Sequence, residues 1–307
     1  MTTKLSVAGP EDLLAAAPIV LGFEPSGSLV MLTFGAPHPF HARVDLPSPD
    51  DRAGLAETAE LMLRPALDND AGLVAFLLYT PDARLAGRLG RRLVRCFGQA
   101  GLPVIACLRA SEGRWWPALD DDPGFPAEGR PYDAGAHEFR ARAVYDGLVT
   151  LGSRDELAAT LASDPPGVAA VERALAGAGP PDPAGLAALV ARGLGEGVVL
   201  ASVEVAALLL ALAEAYDETS IGLTRANSRG HVRLWTDVVR RAPAGLMADP
   251  AALLALSAWL HGQGALAWCA LDRCLAVEPS HPLGRAVATA LEEALPPQRW
   301  LDEGRVS

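Results

Sequence analysis

The stretch LVMLTF, Leu29 to Phe34, is an apolar run too short for a helix, and the turn residues GAPHP close it. It predicts a buried strand. FHARVDLP then alternates between apolar and polar positions, so residues 28–46 predict a hairpin entered through Pro25-Ser26-Gly27. Leu55, Ala59, Met62 and Leu63 recur at helical spacing within residues 51–67. GLVAFLLYT predicts another buried strand, and PDARLAGRLGRRLVRCFGQAG a helix that opens at a proline and closes at Gly101. LPVIACLRA is again a buried strand, which Ser111-Glu112-Gly113 turns back into RWWPAL. Ahead of them all, GPEDLLAAAP predicts a short helix. Its Pro10 sits where a missing N–H costs nothing, and two acids follow in the first turn. The order predicts an α/β layer with a mixed sheet. The strands are apolar runs rather than alternating ones, so helices are expected on both faces of the sheet.

From about Ala136 onward no strand pattern remains. Helical spacing predicts helices near 137–151, 153–162, 167–178, 183–194, 200–216, 228–241, 250–261, 264–277 and 282–294, joined by proline-rich connectors such as GAGPPDP. The expected organisation is an α/β domain over 1–135 and an α-helical domain over 136–307. Ser228 suits an N-cap, with Arg240 and Arg241 at the other end of the same helix. Near 250–279 the pattern sharpens. Leu254, Ala255, Ala267, Leu271, Cys274 and Pro279 fall where a tetratricopeptide repeat places its large, small and proline positions. A single such hairpin cannot bury its own face and must pack on the preceding helices or on another chain, including a second copy of itself.

Composition narrows the function classes. Half of the 307 residues are hydrophobic but only 6% are aromatic, so the core must be built from Ala, Leu and Val. The formal net charge of −11 disfavours binding to phosphate backbones at large. The segment Val198–Tyr216 is the best membrane candidate, but Glu204 and Glu214 interrupt it, and it reads as a buried helix. The start, MTTKLSVAGPEDLL, lacks the apolar core of a signal peptide, and Cys96, Cys107, Cys269 and Cys274 form no CxxC pair. A soluble, cytoplasmic protein with buried thiols is expected.

No GxGxxG, GxxxxGK[ST] or GxSxG is present, and the glycines of GRLGRRL lie inside a helix. No cofactor and no metal is expected. The richest segment is EGRWWPALDDDPGFPAEGRPYD, residues 112–133. An arginine beside aromatics can clamp a planar or anionic ligand, which makes Arg114, Trp115 and Trp116 candidates. Asp120, Asp121 and Asp122 are adjacent rather than spaced as in a calcium loop, and read as solvated. His41, Arg43 and Asp45 share one strand face, so Arg43 and Asp45 are further ligand candidates, with a surface ion pair as the plainer alternative. His38, His137, His231, His261 and His281 are scattered without ligand spacing. Asp217, Glu218, Arg225 and Asn227 line a cleft or cap the helices beside them. Arg84, Arg88, Arg91, Arg92 and Arg95 mark a solvated or partner-facing side of one helix.

HVRLWTDVVRRAP, GALAWCALDRCLAVEP and LPPQRW, with APIVLGFEPSGSLVMLTF, ARVDLP and GRWW, make the chain resemble domain-of-unknown-function family 4192, an actinobacterial family. The resemblance spans nearly the whole chain and implies an intracellular protein without implying an activity. The family often carries cysteines beside a proline in the loop after the Arg-Trp motif. Here that loop reads LDDDPGFPAEG, with none, so a zinc or redox role there is not expected.

Three functions follow, of which nucleic-acid binding through the arginine-rich helix 84–95 is the least favoured. The first is a soluble, noncatalytic binding or adaptor protein with a protein partner, acting through its helical region and the 112–133 loop. The second is a binder of, or enzyme acting on, a small or nucleotide-like ligand, with a pocket near Arg114 where the α/β half meets the helices.

Overall fold

The computed structural model describes residues 7–37, 40–119, 124–145, 148–214 and 221–297. The chain forms two compact units. The first is Met1–Arg154 with Ala294–Pro296, and the second is Asp155–Glu293 with Pro297–Ser307.

The first unit is a three-layer α/β/α arrangement. Its strands are β1 (Ser28–Phe34), β2 (His41–Asp45), β3 (Leu73–Tyr79), β4 (Val104–Ser111), β5 (Arg114–Pro117) and β6 (Arg130–Pro131), side by side in the order β2-β1-β3-β4-β5-β6. Among these described strands only β3 and β4 pair in parallel, and helix α3 (Ala83–Gln99) connects them. A parallel pair needs such a crossover, whereas the antiparallel neighbours need only turns. β6 has just two residues and was not legible in the sequence.

The predicted cover of both faces is present. Val30, Leu32, Ala75, Leu77, Leu108, Ala110 and Trp115 bury against α1 (Pro10–Leu21) and against Phe139 and Ala143 of α4 (Glu138–Tyr145). The alternate residues Leu29, Met31, Val74, Phe76, Leu78 and Cys107 bury against α2 (Arg52–Asp68) and α3. Helix α4 therefore belongs to the sheet unit. The chain after it is held there too, because the Glu24 N–H donates to the Leu151 carbonyl and the Leu151 N–H donates to the Gly22 carbonyl.

The second unit is helical: α5 (Arg154–Ala159), α6 (Pro165–Leu175), α7 (Pro183–Gly193), α8 (Ser202–Ala213), α9 (Ser228–Arg241), α10 (Ala248–His261), α11 (Gly264–Val277) and α12 (Pro282–Glu292). Helix α10 is its axis. Every residue from Pro250 to Leu260 is buried, and α8, α9, α11 and α12 pack around it. An all-round apolar helix has no other stable place. Ala255, Ala267 and Ala270 are fully buried, which lets α10 and α11 approach closely as a hairpin. Gly262, in the left-handed region at φ 86°, ends α10. Among the described residues no helix is long and apolar enough to cross a membrane. Glu204, which argued against a span, pairs with Arg192 and caps α8 through the Ala201 N–H.

Candidate functional site

Strand alternation separates the two tryptophans. Trp115 points to the α1 side, 5% exposed, with its ring edge-on to Phe125 at 5.1 Å. Trp116 points to the α3 side. Its Nε1 donates to the Ala127 carbonyl at 3.0 Å, and Gly129 lies against its ring, with φ 78°. A Cβ at Gly129 would sit 2.5 Å from the indole, so only glycine fits. The Arg114 guanidinium donates to the carbonyls of Glu128 and Gly129, at 3.3 and 3.0 Å. Arg114 thus holds the returning loop to its own strand.

The cation that meets Trp116 is Arg109. In the β4–β5 register Arg109 is the direct partner of Trp116, and its Cζ lies 3.6 Å above the ring. Cross-strand pairing produces this contact by geometry alone. Burial lowers the pKa of Arg109, and the nearby Asp82 carboxylate opposes that shift. Arg109 and Trp116 form one wall of a groove of about 270 Å³ whose other wall is α3, with Ala83, Arg84, Gly87 and Arg91. The floor is Pro117, Ala118 and Leu119. Gly87 and Gly90 make the approach of this segment possible: a Cβ on Gly90 would meet Cys107 Sγ at 3.0 Å and a Leu119 methyl at 3.1 Å. The groove opens at the carboxyl end of the parallel β3–β4 pair, where α/β sheets commonly bind ligands.

Three guanidinium groups line this groove, and no acid, histidine, serine or cysteine does among the described residues. Cys107 lies beneath it, buried, with burial pushing its thiol up to about 12. The groove presents positive charge, and guanidinium forks can take phosphate or carboxylate oxygens in pairs.

Arg43 and Asp45 lie elsewhere. They form a 2.7 Å ion pair on β2, the opposite edge strand, with β1, β3 and β4 between them and β5. At about 4.8 Å per strand that is a separation of roughly 19 Å, so they do not join Arg114 in one site. His41 shares their strand; its Nδ1 accepts from the Thr33 N–H at 3.3 Å, and burial pushes its pKa down to about 4.

The other histidines serve the fold. His137 bridges to Asp12 at 3.1 Å, His231 accepts from Trp235 Nε1, Ser228 meets His261, and His281 caps α12 while touching Asp249 at 3.1 Å. Among the described residues no three His, Cys, Asp or Glu could hold a metal together. Asn227 binds Thr224 and Gly222 within the turn before α9. Arg240 and Arg241 reach the carbonyls of Ala162 and Leu200. His38, Asp120–Asp122, Asp217 and Glu218 lie outside the described residues.

The profile of the family described as domain of unknown function DUF4192 matches residues 10–298. This chain belongs to the DUF4192 family. No curated protein and no solved structure matches it. The site of this DUF4192 chain therefore rests on its own geometry. Arg109 was missed in the sequence because it lies inside an apolar strand, LPVIACLRA, and only the strand register places it on Trp116. A signal was present: two glycines inside a helix each cost about 1 kcal/mol relative to alanine and imply close packing on that face.

Proposed function

We propose that the α/β unit of this DUF4192 protein binds a small anionic ligand in the groove between α3 and the β4–β5 pair. The observation that carries the reading is the convergence of Arg84, Arg91 and Arg109 on one concavity with no neutralising acid in its described lining. Of the three, Arg109 has a carboxylate nearby, Asp82, outside the lining, and an anion in the groove would meet all three guanidinium groups. The lining supplies charge and shape but no general acid, general base or nucleophile, which supports binding rather than catalysis. Arg114 supports the site indirectly, through the loop that backs Trp116. A cytoplasmic setting, where phosphorylated solutes are common, accords with four cysteines that make no CxxC pair.

Calorimetric titration with inorganic phosphate and pyrophosphate at low ionic strength tests the proposal. Binding is expected, and Arg109→Gln or Arg91→Gln should weaken it about 10- to 100-fold, the equivalent of a charge-assisted hydrogen bond. Absence of heat with either anion, or equal affinity in both variants, would overturn it.

The adaptor reading rests on a different observation. Val198, Val199 and Val203, at the head of α8, are 42%, 73% and 56% exposed, an apolar patch of the kind protein partners cover. A tetratricopeptide-like α10–α11 hairpin would contribute by its outer faces, since α10 itself is enclosed. Retention of a partner by the native chain and its loss on Val199→Asp with Val203→Asp would support that role. Unchanged retention would remove it.

A further inference from the structure

The arginines of α3 continue past the groove. Arg84, Arg88, Arg91 and Arg95 recur at intervals of four, three and four, a spacing that keeps them in one stripe along a helix. Eleven residues at 1.5 Å each make the stripe roughly 16 Å long. Beyond Arg91 it enters a second concavity between α2 and α3, lined by Arg52, Arg88, Arg91, Arg92 and Arg95 over Leu55 and Ala56. Arg91 lines both concavities, so they lie side by side along α3 with its side chain at their border. Arg88 is partly engaged, by the Pro49 carbonyl at 2.6 Å and by Asp50 at 3.6 Å. No acid lines the second concavity among the described residues.

We infer that the ligand is a short linear phosphate chain, free or carried by a nucleoside, lying along α3 from Arg84 to Arg95. The inference rests on the groove reading above and extends it from a single anion to a chain. A row of forked cations matches a row of phosphates, because each guanidinium can take two oxygens. Length and surroundings exclude the longer polyanions. The stripe ends after about three helical turns, and the chain as a whole carries a net charge of −11 even with the stripe's arginines counted, so the surface beyond it repels whatever extends there. Single-stranded nucleic acid also needs exposed aromatic faces for its bases. Trp116 has Arg109 on its ring and Gly129 against it, and Trp115 is buried on the other side of the sheet.

The test is titration of the full chain with orthophosphate, pyrophosphate, tripolyphosphate and a short-chain polyphosphate at one fixed ionic strength. Affinity should rise with chain length, at least ~10-fold from orthophosphate to the longer chains, as further arginines engage. Arg95→Gln should flatten that rise. Arg64→Gln, which removes an exposed charge of α2 outside both concavities, should leave the rise as it is. Comparing tripolyphosphate with a nucleoside triphosphate identifies the source: tighter binding of the nucleotide means a nucleoside-borne chain, equal binding a free one. Orthophosphate binding that does not grow with length, with Arg95→Gln silent, would overturn the chain and leave the groove reading standing. No binding of any phosphate would overturn the groove reading itself. Tighter binding of a single-stranded oligonucleotide than of any polyphosphate would also overturn the inference, in favour of a nucleic-acid backbone.

Discussion

Gly129 and Trp116 are coupled by a contact that no side chain larger than hydrogen could share. Gly113 also has a left-handed backbone, at φ 71°, but its nearest neighbour would be a carbonyl 3.7 Å from an added Cβ. Both positions resist alanine through backbone strain of about 1 kcal/mol. Only Gly129 adds a collision with a ring held in place by Arg109 and the Ala127 carbonyl. Gly129→Ala should therefore destabilise the α/β unit by about 1–3 kcal/mol, and clearly more than Gly113→Ala. Urea unfolding followed by tryptophan fluorescence measures both, and equal losses would show that the ring contact contributes nothing. The sequence pointed to the right strand here but to the wrong neighbour relations. GRWW is conspicuous, yet the partner of Trp116 comes from β4, and the partners of Arg114 are carbonyls, which carry no residue identity to read.

At the scale of elements, hydrophobic periodicity was a good guide. The helices at 51–67, 183–194, 228–241 and 264–277 appear within one or two residues as α2, α7, α9 and α11. Period follows from backbone geometry, which each segment carries alone. What an element packs against is not carried in this way. Helical spacing near 250–261 and 264–277 gave α10 and α11, but not that α8, α9 and α12 would also close around α10. This placement has a measurable consequence. Leu254 is fully buried at the axis of the unit, whereas Val277, at the end of α11, is 44% exposed. Leu254→Ala should cost about 2–5 kcal/mol of helical-unit stability, and Val277→Ala less than about 0.5 kcal/mol, by chemical denaturation. A small loss at Leu254 would mean that α10 is a free face rather than a core. Disrupting residues 250–277 would unfold the unit rather than remove a groove, so the exposed valines of α8 are the sound place to test partner binding.

For the molecule as a whole, charge and burial act in different places. The −11 net charge describes the surface average, and it concealed a local stripe of arginines that reads, residue by residue, as an ordinary solvated helix face. Likewise the end of the strand pattern near Ala136 suggested a domain change ahead of α4. An amphipathic helix does not declare which surface it will cover, and Phe139 and Ala143 went to the sheet. Each unit contains a histidine that burial pushes down to about 4: His41 in the α/β unit and His231 in the helical unit. His231 is completely buried and only half satisfied, its Nδ1 accepting from Trp235 while Nε2 has no partner. The ordinary value is 6.5. Between 6.5 and about 4 the unfolded chain therefore binds a proton that the folded chain refuses. Stability conferred by the neutral ring is complete above pH 6.5 and is lost as the pH falls towards 4. For His231 this amounts to about 2 kcal/mol between pH 7 and pH 5, and for the partly exposed His41 to less. Chemical denaturation at both pH values should reveal the loss. In His231→Gln, whatever its absolute stability, the difference between the two pH values should shrink by about that amount, because glutamine does not titrate. An unchanged pH dependence in that variant would show that His231 takes up its proton in the folded protein as readily as in the unfolded chain.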